Sequence, residues 1–71
     1  MEVYRRATLH IIEQYLDSAI SFSECISALD EALAAVFPPP TGEDLDSLRA
    51  LVRWNRRIVI TEFERRTSEH N

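Results

Sequence analysis

No lysine occurs anywhere in this chain; all eight basic residues are arginine, against twelve acids, for a net charge of −4. A net negative charge disfavours a dedicated nucleic-acid binder, because phosphate neutralisation supplies most of the affinity of such proteins. Exclusive use of arginine fits a compositional bias in the coding DNA, and it also suits interface ion pairs and planar bidentate contacts better than lysine does. Cysteine occurs once, at Cys25, so no disulfide can form within the chain. One Cys and two His do not complete the usual tetrahedral zinc set without carboxylates or a second chain, and no metal or other cofactor is expected. Glycine is nearly missing as well: Gly42 is alone, and it clusters with all three prolines in PPPTG. Strands joined by hairpins would need more turn residues than that.

Long apolar runs are absent too, so no membrane span is expected. The first residues, MEVYRRATLHII, hold neither an uninterrupted apolar segment nor a small-residue cleavage site, so they do not read as a signal peptide. A cytoplasmic location is the expectation.

What is present is a globular composition, 45% hydrophobic and 28% charged, on 71 residues. That length supports one domain with a marginal core, because chain entropy nearly cancels apolar burial at this size. With disulfide and zinc set aside, good helix packing or a partner must stabilise the fold.

Three helices are expected, over about 2–17, 22–36 and 42–67, with a proline-rich linker at 37–41. In the first, Tyr4, Ala7, Ile11, Ile12, Tyr15, Leu16 and Ala19 fall on one arc, with Arg6, His10, Glu13, Gln14 and Asp17 opposite. Ser21 with Glu24 three residues on is a capping box for the second helix, and Ile20 with Cys25 is a weak hydrophobic staple. Phe22, Ile26, Leu29, Leu33 and Val36 form a core stripe there. Beside it run Cys25, Ala28, Ala32 and Ala35, small enough to let another helix approach. Pro38 to Pro40 end that helix as a short stiff spacer. Thr41 with Asp44 suggests a second capping arrangement. RIVIT, residues 57–61, looks like a strand locally, yet it has no strand partner, and the residues on both sides keep one helical period. Local β-propensity is context-dependent, so this stretch is read as helix. The fold class is therefore all-α: a hairpin of two shorter helices plus a longer C-terminal helix, assembled as a dimer.

Within the third helix, Leu45, Leu48, Leu51, Val52, Ile58, Val59 and Phe63 keep the apolar period, and Asn55 interrupts it. Glu62 and Arg66 continue a polar line on the same side. Such a line is either solvated or bonded to a partner, and Asn at a core position can fix register and oligomer state. Trp54, Leu51 and Ile58 lie to one side of the main stripe, and Trp beside Arg is the composition of an interface hot spot. The expected contact surface is Leu51, Trp54, Asn55, Ile58 and Glu62. Arg49, Arg53, Arg56 and Arg57, at i, i+4, i+7 and i+8, form either its polar rim or a phosphate-contacting strip. The long proline-rich connection before this helix is unlike the tight turn of a helix-turn-helix.

Nothing reads as catalytic. His10 and Glu13 form an H-x-x-E pair on the polar face, with reversed order and no second copy relative to di-iron bundle motifs. Cys25 has no neighbouring His, and neither a nucleophile elbow nor a phosphate-cradling loop occurs. The function expected is a non-catalytic protein–protein interaction module, homodimeric or docked on a larger protein as an inhibitor, immunity or adaptor protein. The alternative is a nucleic-acid-associated regulator using the arginine face.

Overall fold

The computed structural model describes residues 2–69, which form three helices: α1 (Glu2–Leu16), α2 (Phe22–Ala34) and α3 (Gly42–Glu69). No strand occurs among the described residues, and RIVIT lies inside α3. Each expected helix is present within about two residues of its expected ends, the margin by which helix boundaries ordinarily differ.

The end of α1 shows how a chain almost without glycine turns a corner. Ser18 takes a left-handed conformation, φ 63°. Ala19 N–H donates to the Gln14 carbonyl at 2.8 Å and Ser18 N–H to the Tyr15 carbonyl at 3.0 Å. This is the Schellman pattern, with serine in the place that glycine usually fills. Asp17 N–H satisfies the Glu13 carbonyl at 2.9 Å, and the Arg66 guanidinium of α3 reaches the Leu16 carbonyl at 2.9 Å. All four terminal carbonyls of α1 are thus bonded, one of them by a side chain fifty residues away.

The expected capping box opens α2: Glu24 N–H donates to Ser21 Oγ at 3.1 Å, and Ser21 N–H donates to the Glu24 carboxylate at 3.0 Å. The Ser21 backbone and side-chain bonds hold the Glu24 pKa below its ordinary value. No hydrogen bond joins Thr41 and Asp44, so the second capping arrangement does not form; α3 begins instead at Gly42 with φ 58°. A left-handed φ at that point is where glycine is needed, because any Cβ would crowd its own backbone.

α1 and α2 pack as an antiparallel hairpin, and α3 returns parallel to α1. Tyr4 lies beside Asn55 near the start of α1, and Arg66 meets Leu16 at its end. Against α2, the Phe22 and Phe63 rings stack with centroids 4.2 Å apart, and Arg56 bonds Asp30 at 2.8 Å. The central cluster is Ile12, Tyr15, Cys25, Leu29 and Val59, with Ile11, Ile20, Phe22, Ile26 and Ile58 packed on it. Tyr15 meets Phe22 edge-on at 6.1 Å.

Two details differ from the expected faces. In α1 the core side is set by Tyr4, Thr8, Ile12 and Tyr15, while Ala7, Leu16 and Ala19 are exposed. Thr8 is buried because its hydroxyl donates to the Arg5 carbonyl at 3.0 Å, which leaves its methyl free to pack. In α2 the fully buried residue is Cys25, from the small stripe, and its burial pushes the thiol pKa up. Of the alanines that follow it, Ala32 and Ala35 line a cleft with Ala7 of α1.

With 28 residues, α3 is about 42 Å long, and the molecule measures 44 × 19 × 15 Å. Only Glu2 and Val3 precede Tyr4 in α1, whereas thirteen residues of α3 precede Asn55. The first turns of α3 therefore run past the beginning of α1, with the end of α2 and the proline linker beside them.

Candidate functional site

Leu45, Leu48, Val52, Asn55, Val59, Glu62 and Arg66 follow one another along α3 at alternating steps of three and four, so they share one stripe. It faces the hairpin: Leu48, Asn55 and Val59 are buried, and the rest are half-buried. The polar members of this stripe meet α1 of their own chain.

Asn55 is 6% exposed, and its Nδ2 has no hydrogen-bond partner. It sits next to the Tyr4 phenol without reaching bonding geometry. Burial raises the Tyr4 pKa, against the opposing pull of Asn55 and Arg56.

Glu62 accepts from Arg65 and, at 3.0 Å, from Arg66 Nε. The Arg65 bond comes first in holding the Glu62 carboxyl down to about 2, with Arg66 adding to it. Arg65 also bonds Glu69, and its own pKa is raised by Glu62. Arg66 lies over the Tyr15 ring, 4.7 Å from its centroid, while bonding the Leu16 carbonyl. Glu62 and Arg66 thus form a clasp that binds the far half of α3 to the end of α1.

Trp54 is placed quite differently. It is 60% exposed. A cleft of about 550 Å³ along the α1–α3 edge is lined by Leu16, Trp54, Arg57, Ile58, Thr61 and Glu62. Trp54, Ile58 and Glu62, expected together, do share this cleft; Leu51 is half-buried one turn before Trp54, and Asn55 points into the fold instead. Leu16 belongs to the cleft although its spacing placed it on the core arc. It is 44% exposed, and Leu9, seven residues earlier on the same face of α1, is 56% exposed. That pair of leucines was the available signal.

The four arginines do not act as one face. Arg57 borders the Trp54 cleft, while Arg49, Arg53 and Arg56 line a second groove on the α2 side of α3. Arg56 is paired with Asp30, and Arg49, Arg53 and Arg57 make no ion pair with any described residue.

His10 and Glu13 are exposed, and no group of three or more His, Cys, Asp or Glu that could hold a metal occurs among the described residues. No described helix is long and apolar enough to cross a membrane. Compared with protein-family models, curated proteins and solved structures, the chain matches none.

Proposed function

We propose that this chain is a small non-catalytic protein–protein interaction module, which homodimerises or docks on a larger protein through the Trp54 edge. The observation that carries the reading is the lone tryptophan standing 60% exposed beside Leu16 and Ile58 in a cleft edged by Arg57 and Glu62. A large aromatic in an apolar hollow with charges at its border is the composition of an interface hot spot. A small core adds to the same argument, since chains of this size commonly gain stability from a partner.

The experiment is site-specific. The chain has no lysine, so a photo-crosslinking residue placed at Thr61, exposed in the Trp54 cleft, is preferable to amine chemistry and leaves Trp54 in place. A second placement at exposed Ser27 of α2, which lines no part of that cleft, serves as the control. Covalent adducts, to itself or to a defined protein, at position 61 and not at 27 are the expected result. Equal labelling at both positions, or none at 61, would remove the Trp54 edge as an interface. Sedimentation at several concentrations then separates self-association from a foreign partner.

The alternative is a nucleic-acid-associated regulator, and the unpaired state of Arg49, Arg53 and Arg57 supports it. It requires salt-sensitive DNA binding by the native chain that Arg53→Glu/Arg57→Glu abolishes. No salt-sensitive shift with the native chain sinks that alternative.

A further inference from the structure

The groove on the other side of α3 differs from the Trp54 cleft in its chemistry. Leu33 from the end of α2 and Leu45, Leu48 and Val52 from α3 make its floor, and Arg49, Arg53 and Arg56 stand along it; its volume is about 510 Å³. The arginines follow one another at i, i+4 and i+7, so they form a row running along α3 for nearly two helical turns, roughly 10 Å. The floor runs beside them, with Leu45, Leu48 and Val52 at i, i+3 and i+7. An apolar strip with a parallel row of cations is the complement of a helix bearing leucines on one face and carboxylates on its flank.

The charges inside the chain leave this row unsatisfied. Asp30 accounts for Arg56, but Arg49 and Arg53 have no acidic partner among the described residues, in a chain with four more acids than bases. The groove also lies where α3 has outrun α1, so one of its sides lacks the cover that the rest of α3 has.

We infer that the Leu33–Leu45–Val52 groove is a docking site for an acidic amphipathic helix of a partner protein, with Arg49 and Arg53 pairing its carboxylates. The apolar floor argues against nucleic acid as the occupant. A phosphate backbone laid along the arginines would desolvate against three leucines and gain nothing from them. The inference shares with the reading above only the premise that the chain is a binding module. It does not use Trp54.

The probe is a fluorescein-labelled synthetic helix of about 16 residues, roughly 24 Å, with leucines at i, i+3, i+4 and i+7 and glutamates flanking them. Its controls are the same peptide with arginine replacing glutamate, and a DNA hairpin of matched negative charge. Binding is read by anisotropy with the full-length chain at low and moderate salt. The glutamate peptide should bind at least about tenfold more tightly than the arginine peptide. Arg49→Glu/Arg53→Glu should weaken it about tenfold or more, and Leu45→Asp should abolish it. Circular dichroism confirms that each variant stays helical, and Arg49→Gln/Arg53→Gln gives a milder variant if the reversal unfolds the chain. Trp54→Ala should leave this binding unchanged while removing the crosslinks at the Trp54 edge, so the two surfaces fail or succeed separately. Absence of binding, equal binding of both peptides, or insensitivity to both arginine pairs overturns the inference. So does tighter, arginine-dependent binding of the hairpin, which favours nucleic acid. Concentration-dependent self-association lost in Arg49→Glu/Arg53→Glu also overturns it, by naming a second copy as the occupant.

Discussion

Single residues carry the clearest energetic signatures of this fold. Asn55 holds a buried amide nitrogen with no partner, a state that costs about 1–3 kcal/mol. Asn55→Leu removes that cost and fills the site with apolar volume, so urea denaturation should show a gain of about 1 kcal/mol. A loss of stability instead would mean that the amide is satisfied in solution. Ser18 holds a left-handed φ of 63°, which costs a non-glycine residue about 1 kcal/mol or more. Ser18→Gly relieves it at the price of a more flexible unfolded chain, for a net gain of about 0.5 kcal/mol in the same assay. Val59 is fully buried in the central cluster, and Val59→Ala should cost about 2 kcal/mol. The adjacent Ile60, 41% exposed, should tolerate alanine within roughly 0.5–1 kcal/mol.

At the scale of elements, the docking of α3 on α1 depends on the Glu62–Arg66 clasp. Its pH dependence follows from the sign of the Glu62 shift. The folded carboxyl sits at about 2, below the ordinary 4.5, so the unfolded chain binds the proton more readily. The Glu62 pairings, with Arg65 first and the Arg66 clasp adding to it, therefore contribute fully above about pH 4.5 and are lost as pH falls through about 2. Thermal melts between pH 5 and pH 2 should decline more steeply for the native chain than for Glu62→Gln; parallel slopes would show that the clasp does not couple to folding. Arg66→Met keeps the stem over Tyr15 but removes both the cation–π contact and the donor to the Leu16 carbonyl. A cost of about 1–2 kcal/mol is expected, with fraying of the last turn of α1 in amide hydrogen exchange. These elements were largely legible beforehand. The three helices, the Ser21–Glu24 box and the helical state of RIVIT follow from period, cap chemistry and the want of any strand partner. The Thr41 cap was not, because Gly42 takes a left-handed turn there that no local motif reveals. Thr8 was missed because a β-branched polar residue resembles a surface residue until its hydroxyl is seen bonded to its own helix.

For the molecule as a whole, the deciding feature is the mismatch between a 28-residue α3 and a 15-residue α1. It leaves α3 with two differently clad edges: the Trp54 cleft beside α1 and the arginine-lined groove beside α2. As the only tryptophan, Trp54 reports directly on its own edge. If that edge is an interface, its emission should shift to the blue as a partner or a second copy covers it, and Trp54→Glu should remove the interaction while helicity persists. Emission that stays red through complex formation would place the interface elsewhere.

The sequence by itself determined the secondary structure and the fold class. Helical period, capping residues and the scarcity of glycine and proline act within a few residues, so they can be read without knowing what packs on what. It also marked Asn55, Glu62 and Trp54 as residues out of keeping with their neighbours. Only the tertiary structure decided what each one meets: Asn55 turns in beside Tyr4, Glu62 and Arg66 clasp the end of α1, and Trp54 stays in solvent. The same holds for the arginines, which share a helical period but divide between two grooves. The physical reason is that spacing along a helix sets only relative angles around its axis. Which angle is inward, and at what height along the axis a neighbour begins, depends on the register of α3 against the hairpin. Packing between residues some fifty positions apart sets that register, and no local pattern encodes it.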